Sequence, residues 1–403
     1  MVLHIDNFPA HEGIPVLNSL EEKEIQNFLE VNISDTDAEN LRVIEWRPSL
    51  NHYREKYVKL LSQVVDFIKR MEAGKRTTAA FGKRWVRNFF RNIGNINKGI
   101  LYRQSDLQVI ITGSGPGLQD AFPLIKEAQN TSLVIASSSS VMALAANGIS
   151  ADLIVTTDGG AWALKHMYSF CNDYKDSALI AASLFAALPS QALSSPFLLI
   201  NDGSFWQNVI FHELSLPSVL ISQKGTVTAT ALELALLLSI GNIYLAGMDF
   251  SFSDIRTHVK PYAFDSIFFN NANRFTPVYS EYFTRSSLIN RGGSMDIYAS
   301  WFKTQILSWP KRIFSMTQSG IFNEGKPDTK RKQKKANDYF ETVSLNKDFS
   351  PFRKRASDIL LNALKNSEYS HNIKKELCTL LLNGEENVSE EKLESIILEI
   401  ANE

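Results

Sequence analysis

From Gln108 onward, short apolar runs of strand length alternate with stretches that have helical spacing. The runs, in chain order, are QVIIT, SLVIAS, DLIVTT, ALIAAS, FLLI, SVLIS and NIYLAG. Continuous apolar strands between helices are typical of a mostly parallel sheet that is buried on both faces. We therefore predict an α/β fold with helices on both faces of the sheet. In such sheets, ligands bind beyond the carboxyl ends of the strands.

The segments on either side of this region have a different pattern. Residues 1–105 are predicted to be mainly helical, because VKLLSQVVDFIKRMEAG carries apolar residues near helical spacing. Residues 106–325 form the predicted sheet domain. In residues 326–403, the Lys-rich stretch KPDTKRKQKKAND predicts a flexible connector, followed by amphipathic helices. These helices could form a bundle, dock on the main domain or mediate homo-oligomerisation, and their predicted caps are Ser357, Asn372 and Ser389.

Charge and cysteine content exclude several classes of protein. The chain has 42 basic and 43 acidic residues, so no overall charge bias points to a nucleic-acid partner or an anionic membrane. Cys171 and Cys378 are the only cysteines in the 403 residues, which argues against a disulfide scaffold or a cysteine-rich zinc site. The start of the chain lacks the pattern of a secretory leader, and the most apolar segment is interrupted by Glu233. We expect a cytoplasmic protein with no transmembrane segment.

A glycine-rich turn follows the first apolar run. GSGPG, residues 113–117, lies between a predicted strand and a predicted helix, where backbone N–H groups and the positive helix end favour a phosphate. The dinucleotide fingerprint needs a third glycine at position 118, which is Leu118, and the next strand ends in serines rather than an acid. The turn thus argues against a nicotinamide cofactor. It is compatible with an anion site or with a tight strand-to-helix turn.

Polar side chains follow several other predicted strands. Ser137 and Ser138 end the second run, Asp158 precedes two glycines after the third, and Asp249 follows the last. Because parallel strands end at one edge of a sheet, we expect these residues to lie close together. The serines could instead cap a helix. A carboxylate such as Asp158 needs a hydrogen-bond donor, a ribose hydroxyl or a metal as its partner.

Several blocks in one order resemble a known group of proteins. GSGPGL, NGISADLIVTTDG, GTVTATALELALLLSIGNIYLAGMDFSF and THVKPYAFD are similar to segments of bacterial motility accessory factors (Maf proteins) and of archaeal 6-hydroxymethylpterin diphosphokinase-like proteins. The same blocks resemble bacterial CMP-sialic acid sialyltransferases. The similarity spans about residues 80–320. It implies a Rossmann-like nucleotide-sugar-binding domain and a glycosyltransferase that moves a nonulosonic acid from a CMP donor to flagellin Ser/Thr or to a surface glycan.

The resemblance also implies roles for particular residues. It places Gly113, Ser114, Gly115 and Pro116 at the donor phosphate and Ser137 and Ser138 near the sugar or ribose. Thr226 and Val227 would present backbone to the cytidine, with Asp249 at the inner end of the cleft and Asp158 among the nucleotide-binding residues.

The implied catalytic residues are His258, Tyr262 and Arg291. Tyr262 would donate to the phosphate, and its alternative role is that of a core tyrosine. In the sialyltransferases a histidine acts as base in a segment resembling LINRGGSMDIYASWF, and that position is Arg291 in this chain. His258 is then the alternative base, because imidazole has suitable basicity near neutral pH, although a lone histidine can also be structural.

Two other functions stay open. A pterin diphosphokinase would need Mg²⁺ held by clustered carboxylates, and VTTDGG offers one acid where a pair is expected. A non-catalytic nucleotide-sugar-binding or assembly factor would account for Arg291 at the position where the sialyltransferases carry the histidine base. The sequence predicts no metal site and no tightly bound cofactor; Mg²⁺ is compatible with the predicted sugar transfer but is not required for it.

Overall fold

The structure of the chain is a computed structural model. The structure describes residues 2–4, 13–33, 41–223, 225–250, 255–292, 299, 302–303, 305–306, 309–318, 321–334, 338–345, 352–366, 368–385 and 388–402.

The described residues form twelve strands. They are β1 (Val2–His4), β2 (Val16–Asn18), β3 (Lys98–Tyr102), β4 (Gln108–Thr112), β5 (Ser132–Ser137), β6 (Leu153–Thr156), β7 (Leu179–Ser183), β8 (Phe197–Asn201), β9 (Ser218–Leu220), β10 (Ile243–Ala246), β11 (Ile313–Ser315) and β12 (Phe340–Ser344).

The same residues form thirteen α-helices. They are α1 (Glu22–Asn32), α2 (Arg47–His52), α3 (Arg54–Ile93), α4 (Leu118–Ala128), α5 (Val141–Ala146), α6 (Leu164–Ser169), α7 (Phe205–Glu213), α8 (Val227–Leu238), α9 (Asp265–Asn271), α10 (Val278–Gly292), α11 (Phe352–Asn366), α12 (Ser370–Leu382) and α13 (Glu390–Asn402). In the part of the chain that the structure covers, none of them combines the length and apolarity needed to cross a bilayer.

Ten of the described strands belong to one sheet, in the order β11-β10-β4-β5-β6-β7-β8-β3-β12, with β9 beside β8. Among these described strands, only the pairing of β12 with β3 is antiparallel. All seven apolar runs of the sequence are strands of this sheet, so the prediction of a Rossmann-like α/β fold is confirmed. Two strands, β3 and β12, lie outside residues 106–325, the range predicted for the sheet domain.

Helices cover both faces of the sheet because successive strand side chains point to opposite sides. In β4, Ile110 packs into one apolar core, whereas Val109 and Ile111 pack into a second core on the opposite face. Helix α8 covers the second face with Leu232 and its apolar neighbours. The order of the strands reverses between β4 and β10, which places the topological switch point there.

The long helix α3 connects the N-terminal region to the sheet domain. Its first half packs Leu60 and Phe67 against Ile25 and Leu29 of α1. Its second half contributes Phe89 to the main core. The predicted helical character of residues 1–105 thus corresponds mainly to one helix about 60 Å long.

The three C-terminal helices dock on the main domain. Leu360, Leu377 and Ile397 are buried in the core that α3 and α7 share. The carboxylate of Glu376 accepts hydrogen bonds from the backbone N–H groups of Phe205 and Trp206, at 3.0 and 3.2 Å, at the start of α7. Of the three sequence interpretations, docking on the main domain agrees with this structure. Homo-oligomerisation stays a prediction.

The predicted caps of these helices differ in their outcome. Ser389 precedes α13, and its hydroxyl accepts from the N–H of Lys392. Ser357 and Asn372 lie inside α11 and α12, so their prediction as caps is wrong. Both helices start earlier, since the preceding residues, such as Arg353 and His371, are compatible with helix.

The Lys-rich stretch does not behave as a free connector. Asp328 exchanges two hydrogen bonds with the side chain of Gln108, and the backbone N–H of Lys334 donates to Asn130. The Lys334 ammonium donates to the Ser132 carbonyl at 2.7 Å and forms an ion pair with Asp152. The described residues 326–334 therefore pack against the amino ends of β4 and β5, because buried polar groups there require hydrogen-bond partners.

Alanine substitutions at two glycines of α3 are expected to change the stability of the protein in opposite directions. A Cβ at Gly82 would lie 2.3 Å from the carbonyl oxygen of Leu380 in α12, while a Cβ at Gly74 would meet no atom within 4 Å. We expect Gly82→Ala to lower the free energy of unfolding by about 1–3 kcal/mol, because two backbones cannot separate cheaply. Gly74→Ala serves as the matched control and should raise it by up to about 1 kcal/mol. Urea denaturation measures both, and a Gly82→Ala protein as stable as Gly74→Ala would contradict this packing.

Candidate functional site

A cleft of about 350 Å³ lies at the carboxyl edge of the sheet, over the switch point. The ends of β4, β5, β6 and β10 and the start of α8 contribute to it. Its lining includes Ser114, Gly115, Ser138, Ser139, Asp158, His166, Thr226, Val227, Thr228, Met248, Asp249, Phe250, Thr257, His258 and Phe302. The structure thus brings together most of the residues that the sequence singled out.

The glycine-rich turn packs against the loop that follows β10. The N–H groups of Gly113 and Gly115 donate to the carbonyls of Ala246 and Gly247. The N–H of Gly117 donates to Oδ2 of Asp249 at 2.6 Å. Added Cβ atoms at these three glycines would lie only 2.4 Å from atoms of the β10 loop. The close backbone approach that the glycines permit is therefore an approach to another part of the same chain.

Asp249 occupies the position at the start of α4 where Rossmann-like proteins usually hold a phosphate. Burial raises the pKa of this carboxyl above its ordinary value of 3.8, the hydrogen bond from Gly117 lowers it, and nearby Asp120 raises it. Burial is the largest of these effects. The assignment of Gly113–Pro116 to a donor phosphate stays a prediction, and Gly113 lies beneath the cleft surface against Gly247.

The raised pKa of Asp249 predicts that Asp249→Asn has a pH-dependent effect on the free energy of unfolding. The folded protein binds this proton more readily than the unfolded chain, so the ionised carboxylate costs stability as the pH rises through its folded pKa. Asparagine keeps an acceptor for Gly117 but does not titrate. We expect the free energy of unfolding of the variant, relative to wild type, to increase in urea titrations as the pH rises above about 4. A difference that is constant with pH would contradict the burial of this carboxylate.

Serine hydroxyls form a connected group beside this turn. Ser139 Oγ donates to Ser114 Oγ at 2.9 Å and lies 3.1 Å from Ser137 Oγ. Ser137 is fully buried beneath Ser138 and Ser139, which line the cleft. Because Ser139 donates to Ser114, the O–H of Ser114 is left to donate elsewhere.

Asp158 and Thr226 also line the cleft. Asp158 is exposed, and its Oδ1 accepts from the N–H of Gly160 at 2.7 Å. Thr226 caps α8, because its Oγ1 accepts from the N–H of Ala229 at 3.1 Å. Gly225 adopts a φ of +74°, which allows the chain to turn sharply into this cap.

His258 is a further residue that lines the cleft. Its Nδ1 lies 2.8 Å from the hydroxyl oxygen of Thr257, and its ring stacks on Tyr262 at 4.1 Å between centroids, with 14° between the planes. Tyr262 also contacts His166, at 5.3 Å between centroids. Tyr262 is only 5% exposed, so both imidazoles pack against a buried ring. Its predicted contact with a phosphate stays a prediction.

An acid from the next helix fixes the segment that carries Tyr262. Asp265 accepts from the N–H of Tyr262 at 2.9 Å and from the hydroxyl of Tyr282 at 2.7 Å, and it also pairs with Lys260. These contacts hold the imidazole of His258 against a rigid support. Arg291 lies near the end of α10, and its side chain is outside the described residues.

A second compartment of about 300 Å³ adjoins the cleft and shares Asp158, Gly225, Thr226 and Val227 with it. Its wall includes Thr77, Phe81 and Trp85 of α3, together with Phe185, Asp202, Ser222 and Gln223. The sequence interpretation missed this compartment and His166. The only signal was the position of Phe81 and Trp85 four residues apart, which places them on one helix face.

The described residues contain no group of three or more histidine, cysteine or acidic side chains arranged to hold a metal ion. The fold and the cleft together define a Rossmann-like α/β protein with a cleft of mixed polar and apolar lining at its topological switch point.

Parts of this chain are similar to known proteins. The family described as 6-hydroxymethylpterin diphosphokinase MptE-like matches residues 84–255, which is less than half of the chain. An uncharacterized protein of Treponema pallidum (strain Nichols) is 26% identical over 284 residues, covering 70% of this chain and 61% of the relative. The chain therefore spans about three fifths of that relative's length.

A solved structure is also similar to this chain. The Maf glycosyltransferase of Magnetospirillum magneticum AMB-1 has a TM-score of 0.45 and 13% sequence identity, with 85% of this chain and 62% of that chain covered.

Proposed function

We propose that this chain is a glycosyltransferase that transfers a nonulosonic acid from a CMP donor to a hydroxyl acceptor. The observation that carries the proposal is the position of His258, an imidazole on a rigid aromatic support, in a cleft that also presents the hydroxyl groups of Ser114, Ser138 and Thr226. The resemblance of GSGPGL, NGISADLIVTTDG and THVKPYAFD to CMP-sugar transferases supports the donor class.

The hydroxyl groups suit a phosphate leaving group. As the bond between the anomeric carbon and the CMP phosphate breaks, negative charge develops on the phosphate oxygens, and hydrogen-bond donors stabilise it. Ser114 and Thr226 each accept a hydrogen bond within the protein, so each retains its O–H as a donor. Ser138 adds a third hydroxyl to this lining.

His258 is the residue proposed to activate the acceptor. In the tautomer whose Nδ1–H donates to Thr257, Nε2 is the basic nitrogen. It would take the proton of the acceptor hydroxyl as the oxygen attacks the anomeric carbon. Thr257 and Tyr262 fix the ring orientation that this step requires.

The position of Asp249 argues against a nucleoside triphosphate held at the start of α4. Asp158 and Asp249 each accept a hydrogen bond from a backbone N–H, at Gly160 and Gly117. Asp249 also fills the helix start at which a nucleoside triphosphate would place its phosphates.

The proposed acceptor is a serine or threonine of flagellin or a surface glycan, and the proposed compartment is the cytoplasm.

Release of CMP tests the proposal. The purified protein is incubated with a CMP-nonulosonic acid, with and without flagellin, and free CMP is measured by chromatography against a no-protein control. We expect protein-dependent CMP release that increases with the acceptor. Binding of the donor without CMP release in either condition would refute the transferase and favour a non-catalytic nucleotide-sugar binder.

The match of residues 84–255 to the 6-hydroxymethylpterin diphosphokinase MptE-like family favours a second candidate, a pterin diphosphokinase. That enzyme would transfer diphosphate from ATP to the pterin hydroxymethyl group and release AMP. Incubation with ATP, Mg²⁺ and 6-hydroxymethylpterin distinguishes the candidates, since Mg²⁺-dependent AMP release without CMP release would support the second and overturn the first.

A further inference from the structure

The compartment next to the cleft has flat aromatic walls. Phe81 stacks on Trp85 with 6.3 Å between ring centroids and 16° between the planes, and Trp85 stacks on Phe185 at 5.8 Å and 14°. All three side chains line the compartment. Phe185 is only 3% exposed and also stacks on Trp206, so the ring surface that stays open to another flat ring belongs to the half-buried Phe81 and Trp85.

Side-chain amides hold this wall in place. Asn88 donates to the carbonyls of Gly159 and Phe185, at 3.2 and 2.8 Å. One turn further along α3, Asn92 donates to the carbonyls of Leu184 and Ala186, both at 2.9 Å. The four hydrogen bonds join α3 to the loops after β6 and β7. A ligand would therefore meet a preorganised surface, which lowers the entropic cost of binding.

Asp202 and Gln223 are among the polar side chains that line this compartment. Oδ1 of Asp202 accepts from the N–H and the hydroxyl of Ser204, at 3.0 and 2.8 Å, whereas its Oδ2 accepts from Nε2 of Gln223 at 3.1 Å. A carboxylate oxygen has two lone pairs, so Oδ2 can accept a second hydrogen bond. A carboxylate that borders a flat slot suits a ring that carries an N–H₂ group.

We propose that this aromatic compartment binds a flat nitrogen heterocycle, packed against Phe81 and Trp85, with Asp202 accepting a hydrogen bond from an exocyclic amine of the ring. The inference deepens the proposed function, on which it rests for the identity of the ring as the cytosine of the CMP donor. The phosphate and the sugar then lie in the adjoining cleft, across the shared residues Thr226 and Val227. A pterin ring has the same amine chemistry and is the other source of such a ligand.

Nucleotide pairs that differ in the amine test the role of Asp202. Dissociation constants of CMP and UMP are measured by calorimetry for wild type and Asp202→Asn. UMP carries a carbonyl where CMP carries the amine, so the carboxylate should disfavour UMP by at least about tenfold in wild type. In Asp202→Asn the amide can donate to that carbonyl, and the preference should fall to about twofold or less. Asp176→Asn, an exposed acid outside the compartment, is the matched control and should keep the wild-type preference.

Phe81→Leu tests the wall separately. It keeps an apolar side chain but removes the ring, so CMP and UMP should both bind about tenfold more weakly. Thermal denaturation confirms that both variants fold.

The outcomes separate this inference from the proposed function. A CMP preference that Asp202→Asn leaves unchanged, or CMP affinity that Phe81→Leu leaves unchanged, overturns the aromatic compartment as the ring site while CMP release by wild type still stands. If wild type binds 6-hydroxymethylpterin and not CMP, and Asp202→Asn abolishes that binding, the ring site is supported and the CMP-dependent transferase is refuted.

Discussion

His258→Asn is expected to slow CMP release from a CMP-nonulosonic acid by about 10²–10⁴-fold. Asparagine resembles imidazole in size and can keep the hydrogen bond to Thr257, but it cannot accept the proton of the acceptor hydroxyl near neutral pH. The donor phosphate would still meet Ser114 and Thr226, so the Kd of CMP should change little. The measurement is the initial rate of CMP release at saturating donor, together with calorimetric binding of CMP.

A second histidine provides the control for this experiment. His212 is exposed on α7, outside the lining of the cleft, so His212→Asn should leave the rate unchanged. A His258→Asn protein with the same rate as His212→Asn would refute the role of His258 as base. A loss of CMP affinity that parallels the loss of rate would instead assign His258 to donor binding.

Lys334→Met is expected to lower the free energy of unfolding by about 3–5 kcal/mol, because it leaves the buried carboxylate of Asp152 without its cation. The Lys334 and Asp152 side chains are 11% and 12% exposed. Burial raises the pKa of Asp152 and lowers the pKa of Lys334, while their ion pair opposes both changes. The cost of the substitution should therefore be larger at high pH, where the unpaired carboxylate must ionise, than at low pH, where it can take a proton.

Urea denaturation of three further proteins tests this explanation. Lys332→Met removes an exposed lysine of the same stretch and should change stability by less than about 0.5 kcal/mol. The double variant Asp152→Asn with Lys334→Met should recover most of the loss, since the introduced amide would keep an acceptor for the N–H of Val134 without a buried charge. Asp152→Asn alone separates the two contributions. A Lys334→Met protein as stable as Lys332→Met would show that residues 326–334 do not pack on the sheet.

Part of the candidate site could be predicted from strand ends alone. Ser138, Asp158 and Asp249 each follow an apolar run, and parallel strands bring such ends to one edge, where the structure places all three around one cleft. The same reasoning did not predict that Phe81 or Trp85 belongs to the site. These residues belong to a helix that precedes the sheet, and only its docking by Asn88 and Asn92 brings them to the second compartment.

The alternation of strands and helices is encoded locally in the chain, because strands that are buried on both faces require continuous apolar runs. Tertiary structure alone decided what the glycine-rich turn approaches, which is Asp249, 132 residues beyond Gly117. It also decided that the Lys-rich stretch packs, through Lys334 and Asp152. The physical reason is the same in both cases: a buried charged or polar group must find a partner, and that partner is chosen by the three-dimensional packing of distant segments.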